Sequence, residues 1–378
     1  MPSEGTGPVT VGAERTGPLP SGPRTGPPQS ATGPAGGAGQ LDAGPLVSER
    51  GVRFRLVDAD GWYAAVRLGQ ELHLPDDART FARVPGGWEL WLDRPPVHRM
   101  QYRFEVTRPD GATETVPDPG NPRGVVEFSG YREPAWLASQ VVDGTRRELA
   151  VRAPALDGEI HATLWSPAGL ADAEPASLLL VHDGPEYDSA AQLTRYLAAG
   201  VAEGRLPPLR AALLAPGERD YRYSANPAYA SDLATAVVPA LTAVAPVTTR
   251  IGMGTSLGAL AFLHAHRTHP EIADRLFLQS GSFFDPRHDA HESRFSGYDR
   301  VVAFVGAVAA AGGATRPVPT VLTCGAVEEN VHNNRLLAAV LAAQGYDVAL
   351  HEVGDVHNWT AWRDALEPHL TGLIARED

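Results

Sequence analysis

The chain predicts an α/β protein: a doubly wound, mostly parallel sheet with helices on both faces, preceded by a small immunoglobulin-like β-sandwich. Three observations predict this. Beyond Arg147, near-continuous apolar runs of strand length alternate with helical patterns, as in a parallel sheet buried on both faces. Before it, short alternating strands are separated by Asp-Gly and Pro-Gly turns, with no helical period. Residues 251–260 read I-G-M-G-T-S-L-G-A-L, a strand that turns sharply into a helix on a serine. At 378 residues the chain is long enough for one large domain and a smaller one.

Taken in order, residues 1–45 hold 11 glycines, 9 prolines and no aromatic residue. Such a segment cannot bury enough apolar surface to offset its ordering entropy, so a disordered tail is expected. Residues 46–125 carry the sandwich, with strands expected at 52–57, 62–68, 89–92 and 100–106. Turn signals lie at Asp60-Gly61, 85–87 and 109–111. V-P-D-P-G-N-P at 116–122 leads away with prolines that suit a rigid connection, and 126–150 is expected as linker. The α/β domain occupies 151–378. Its strands are expected at 160–165, 177–182, 209–215, 249–253, 275–279, 318–324 and 348–353. Helices are expected at 190–202, 229–243, 257–266, 298–311, 333–343 and 359–373.

Composition narrows the function. The chain is 43% hydrophobic and 20% charged, and no apolar run is long enough to cross a membrane. A net charge of −13 excludes nucleic acid as the main partner, since phosphate binding needs basic surface. All 32 basic residues are arginine. A single cysteine, Cys324, excludes an internal disulfide and a cysteine-based metal site. The N-terminus has no basic start followed by an apolar core, so a cytoplasmic location is expected. H-D-A-H-E at 288–292 has metal-ligand residue types but no third ligand at a telling spacing, so it is read as solvated loop and no metal is expected. His264, His266 and His269, late in the helix after the serine, read as structural.

The serine turn is the chemical centre. Gly254 and Gly258 flank Ser256 at two residues on either side, as a nucleophile elbow requires. The serine backbone there is strained, and side chains at the flanking positions collide with neighbouring backbone. The N–H of Leu257 then points where an oxyanion develops. In an α/β-hydrolase the order along the chain is Ser, then Asp or Glu, then His. His357 follows the last strand in G-D-V-H-N-W at 354–359, placed as a general base. Glu328 or Glu329, in G-A-V-E-E-N at 325–330, holds the imidazole in its tautomer. A second oxyanion donor is expected after an earlier strand, in H-D-G-P-E-Y at 182–187. Pro185 has no N–H, so the donor is Gly184 or Glu186. Arg219, Arg222, Arg287 and Arg363 have the fork geometry to pair with an anionic substrate, or with surface carboxylates.

These motifs together resemble the enterochelin (ferric siderophore) esterases and their esterase D relatives. The resemblance rests on H-D-G-P-E-Y at 182–187, Y-S-A-N-P-A-Y at 223–229 and G-T-S-L-G at 254–258. H-P-E at 269–271, Q-S-G-S at 279–282, Gly325 three residues before Glu328, and H-N-W-x-x-W-R at 357–363 continue it. It spans about residues 48–374, including the sandwich and its D-P-x-N-P exit at 118–122. It implies Ser256 as nucleophile, Glu328 as acid and His357 as base, with no cofactor. Substrate contacts are expected from Arg219, Arg222 and Trp359. The chain departs from the family in having Asp355-Val356 before the base where two glycines are common, and Ala259 where a second glycine is common. R-D-Y-R-Y at 219–223 stands where true enterochelin esterases have R-x-x-E-L, a region that faces the cleft in the family.

The function expected is a serine esterase that hydrolyses a carboxylic ester or lactone, foremost of a small-molecule siderophore. A feruloyl or acetyl carbohydrate esterase, a non-catalytic ligand-binding homologue and a mycolyl-type acyltransferase are the competing readings. A homodimer is compatible with all of them.

Overall fold

A computed structural model describes residues 44–376 apart from His73. The tail expected over 1–45 lies, but for its last two residues, outside the described residues. No described helix is long and apolar enough to cross a membrane.

The first eight strands form two antiparallel sheets. They are β1 (Leu46–Ser48), β2 (Gly51–Val57), β3 (Ala65–Gln70), β4 (Ala82–Val84), β5 (Gly87–Asp93), β6 (Arg99–Thr107), β7 (Thr113–Val116) and β8 (Val125–Glu127). One sheet has the order β1-β2-β5-β4; the other has β3-β6-β7, with β8 also on β6. Along β2 and β6 alternate residues point inwards, so Phe54 and Leu56 meet Tyr102, Phe104 and Val106 in one core between the sheets. One residue of that core, Val356, comes from the far end of the chain.

The third sheet has eight strands in the order β16-β15-β14-β13-β11-β12-β10-β9. These are β9 (Thr145–Ala153), β10 (Gly158–Ser166), β11 (Ala176–Val181), β12 (Leu209–Leu214), β13 (Val247–Thr255), β14 (Arg275–Gln279), β15 (Thr320–Gly325) and β16 (Val348–Val353). From β11 to β16 all pairings are parallel; β10 runs antiparallel to both β12 and β9. Central strands are buried on both faces. Along β11, Leu178 and Leu180 enter one apolar cluster and Leu179 and Val181 the other. Ten helices cover the sheet among the described residues: α1 (Gly184–Ala191), α2 (Leu193–Ala202), α3 (Arg219–Tyr223), α4 (Pro227–Asp232), α5 (Val238–Val244), α6 (Leu257–Thr268), α7 (Tyr298–Ala310), α8 (Val331–Ala343), α9 (Trp359–Asp364) and α10 (Thr371–Ile374). Helices α4 to α8 pack into the first cluster, and α1, α2, α9 and α10 into the second.

Several expectations need correction. Residues 126–150 are not a free linker: Trp136 is 1% exposed in the core beside Tyr196, and β9 begins at Thr145. β9 was invisible to an apolar-run criterion because T-R-R-E-L-A-V-R-A is an edge strand with its charges in water. Two of the expected helices are broken. Gln192 adopts the left-handed conformation (φ 54°, ψ 41°) and divides α1 from α2. The helix expected at 229–243 is continuous: a π segment (Leu233–Val237), with right-handed helical angles at both junctions, joins α4 to α5. Glu367 has extended angles before Pro368, so α9 and α10 are separate pieces.

Candidate active site

Strand β13 ends at Thr255 and α6 begins at Leu257, so Ser256 is the whole turn. Its backbone is at φ 53°, ψ −124°, a region few residues with a Cβ adopt. The turn is locked by neighbours. Ser256 N–H donates to Gln279 O at 2.9 Å on β14, and Ser256 O accepts from Ala259 and Leu260 N–H as the helix starts. The flanking glycines are there for space. A Cβ on Gly254 would lie 2.4 Å from the carbonyl carbon of Gly258, and one on Gly258 would lie 3.1 Å from Asp183 Oδ2. Ser256 is half-buried, and its hydroxyl is hydrogen-bonded to Ser282 Oγ at 3.0 Å.

Glu328 and His357 come from the loops after β15 and β16. Glu328, after β15, accepts from Gly325 N–H at 2.7 Å and from Ser280 Oγ at 2.8 Å on one oxygen. Its other oxygen is 3.0 Å from His357 Nδ1. The Glu328 side chain is 1% exposed and that of His357 36%, so the carboxylate is shielded while the far side of the imidazole stays open. Of the two adjacent glutamates it is therefore Glu328 that holds His357. Glu329 instead turns towards His291, 3.5 Å away. Nδ1 of His357 faces an acceptor, so the proton of the neutral ring sits there and Nε2 is left as a base.

Three residues with no role assigned from sequence complete this arrangement. Ser280 has a positive φ of 45° at the end of β14, which aims its hydroxyl at Glu328. Trp362 on α9 donates its indole N–H to Ser280 Oγ at 3.0 Å and packs edge-on against the His357 ring at 5.0 Å. Ser282 meets the Ser256 hydroxyl. The available signal was Q-S-G-S directly after a central strand, since groups at the carboxyl ends of parallel strands face the ligand side of such sheets. Burial also pushes the thiol of Cys324 well above its ordinary range, beside Glu328.

The loop after β11 closes the other side. Asp183 has φ 51° and heads α1, so Gly184 and Leu257 are each the first residue of a helix, where N–H groups have no intrahelical acceptor. Gly184 runs against β12: a Cβ there would be 2.3 Å from Leu213 Cα. Asp183 is buried and forms a two-pronged pair with Arg219, at 2.8 and 2.9 Å. The guanidinium expected to face substrate is thus committed to holding this loop. Arg222 donates to Glu159 O at 3.0 Å, and Trp359 packs edge-to-face on Tyr187 and Trp362. Arg287 pairs with Asp285 and Arg363 with Asp364. His182 is fully buried, stacked on Phe262, with Nδ1 bonded to Gly258 O at 2.8 Å; burial pushes it down to about 3. In the 288–292 loop, His291, Glu292 and Glu329 bring their ligand atoms within 4.8 Å of one another, with His291 and Glu329 exposed.

A strained serine between a parallel strand and a helix, with a Glu–His pair on the loops after β15 and β16, sits on an α/β-hydrolase scaffold. The chain belongs to the Esterase family, whose family model matches residues 153–373. No curated protein matches the chain significantly. Among solved structures it is similar to the enterobactin esterase of Shigella flexneri crystallised in the presence of enterobactin. The TM-score there is 0.70 at 19% identity, over 88% of this chain and 96% of that one. The ferric enterobactin esterase of Salmonella typhimurium gives a TM-score of 0.67 at 20% identity over the same shares. A ferulic acid esterase gives 0.51 at 15% identity, over 62% of this chain and 99% of that one. At these identities the likeness is one of fold.

Proposed function

We propose that this protein is a serine esterase working through an acyl-enzyme. The observation that carries the reading is the Glu328–His357 pair, 3.0 Å apart, on the loops following the strained Ser256. Ser256 Oγ attacks the ester carbonyl carbon while its proton passes to His357 Nε2. Glu328 stabilises the imidazolium that forms. The carbonyl oxygen becomes an oxyanion held by the N–H of Leu257 and, on the other side, of Gly184. The C–O bond then breaks, the imidazolium returns its proton to the leaving alkoxide, and water repeats the sequence to free the acid. To begin this cycle the Ser256 hydroxyl turns from Ser282 towards the imidazole, a rearrangement ordinary in unliganded sites.

The substrate we propose is a siderophore ester in the cytoplasm. Supporting it, the alignment with enterobactin esterases takes in 88% of this chain, whereas that with a ferulic acid esterase takes in 62%. With Arg219 and Arg222 engaged by the protein, this reading does not rely on them as readers of an anionic substrate.

Hydrolysis of p-nitrophenyl butyrate by wild type and Ser256→Ala, with intact mass after a fluorophosphonate, tests the chemistry. Turnover lost in the variant and one adduct on Ser256 are expected; no turnover and no adduct in wild type would sink the proposal. Ferric siderophores and feruloyl esters are then compared as substrates.

A further inference from the structure

The loop that carries His357 is gripped by the sandwich. His98 N–H, just before β6, donates to Gly354 O at 2.6 Å. Arg99, the first residue of β6, places Nη1 3.4 Å from Asp355 Oδ2; the two side chains are 7% and 9% exposed. Val356 is 2% exposed and belongs to the sandwich core. Asn358 donates from Nδ2 to Glu71 on the loop after β3, at 3.0 Å, and to Asp355 Oδ1, at 3.1 Å. Its Oδ1 meanwhile caps α9 through Ala361 N–H. Both neighbours of the imidazole in sequence are thus tied to the sandwich. So is the acid's loop, since Val327, one residue before Glu328, packs on the same core.

Asp355 and Val356, the two residues immediately before the imidazole, are the ones in that grip. Two glycines would bring neither a carboxylate for Arg99 nor an apolar side chain for the sandwich core, and would leave the loop its full conformational freedom. A buried ion pair is a poor source of net stability, because desolvation offsets the attraction. What this pair does is link the sandwich to the backbone before His357, since Asp355 also accepts from Val356 N–H at 2.8 Å.

We propose that Arg99 is a positioning residue: through Asp355, and together with Val356 in the sandwich core, it fixes the backbone from which His357 projects, making the sandwich part of the catalytic arrangement. This rests on the reading of His357 as the base.

The test uses the full chain and p-nitrophenyl butyrate, with a fluorophosphonate to count active Ser256. Arg99→Ala is expected to lower kcat by about 10- to 100-fold with little change in KM, as displaced catalytic groups do. Arg99→Lys is expected to recover much of that loss. Arg83→Ala is the control, since Arg83 pairs with buried Asp58 elsewhere in the sandwich at 2.8 Å; it weakens the sandwich away from the loop and should leave kcat unchanged. Should Arg99→Ala not fold, Val356→Ala reads the same grip from the core side and should also lower kcat. Wild-type kcat in folded Arg99→Ala, or equal losses in Arg99→Ala and Arg83→Ala, would overturn the positioning role while the esterase chemistry stands. A wild type that neither turns over nor labels at Ser256 would overturn both.

Discussion

At the scale of single residues the site turns on which groups are tied to which. Glu328 and Glu329 are adjacent and chemically identical, yet one carboxylate is shielded and bonded to His357 while the other turns to His291. Glu328→Gln should therefore lower kcat by roughly 10⁴-fold, the scale of losing the charged partner of a catalytic histidine. Glu329→Gln should leave kcat near wild type. Similar kcat values for the two variants would refute the assignment. Ser280 donates to the acid, so Ser280→Ala should cost about 1.4 kcal/mol in the transition state, a roughly tenfold loss of kcat at unchanged KM. Steady-state kinetics on the same ester checks both.

At the scale of elements, the elbow is a steric device that sequence spacing announces and backbone packing enforces. Gly254 sits where strand and helix backbones nearly touch, so Gly254→Ala has no flexible neighbour to displace. It should destabilise by about 1–3 kcal/mol or more, visible as a lower thermal midpoint, and should abolish labelling of Ser256. An unchanged midpoint with full labelling would show that the turn can relax. Most elements of the α/β region were legible because buried parallel strands are apolar along their whole length. β9 and the breaks between α1 and α2 and between α9 and α10 were not. An edge strand hides its period behind charged residues, Gln192 breaks the helix in a left-handed conformation that no glycine announces, and the extended Glu367 follows from Pro368 after it.

At the scale of the whole molecule, burial of ionisable groups makes stability depend on pH. Burial pushes His182 down to about 3, and His264 and His266 down to about 4. Unfolded, each takes up a proton near pH 6.5. Between those values the unfolded chain binds protons that the folded chain refuses, so stability falls as pH drops from about 6.5 towards 4. Each unit of difference is worth about 1.4 kcal/mol per group, so the loss is on the order of several kcal/mol. The carboxyls of Glu71 and Asp355, raised by burial, act in the opposite sense. A thermal midpoint flat from pH 7 to pH 4.5 would contradict this balance.

By itself the sequence determined the α/β class, four of the eight preceding strands (β2, β3, β5 and β6), the glycine-flanked turn at Ser256 and the order Ser, Glu, His along the chain. All of these are local: they follow from the period of apolar residues, from glycine spacing and from which residues end which strands. Only the tertiary structure decided that Glu328 rather than Glu329 meets His357, that Arg219 serves Asp183, and that Ser280 and Trp362 brace Glu328 and His357. It alone brought Arg99 and Val356 together around the His357 loop. The reason is separation. Arg99 and Asp355 lie 256 positions apart, and no local period or spacing encodes a contact made only when the sandwich and the sheet fold against one another.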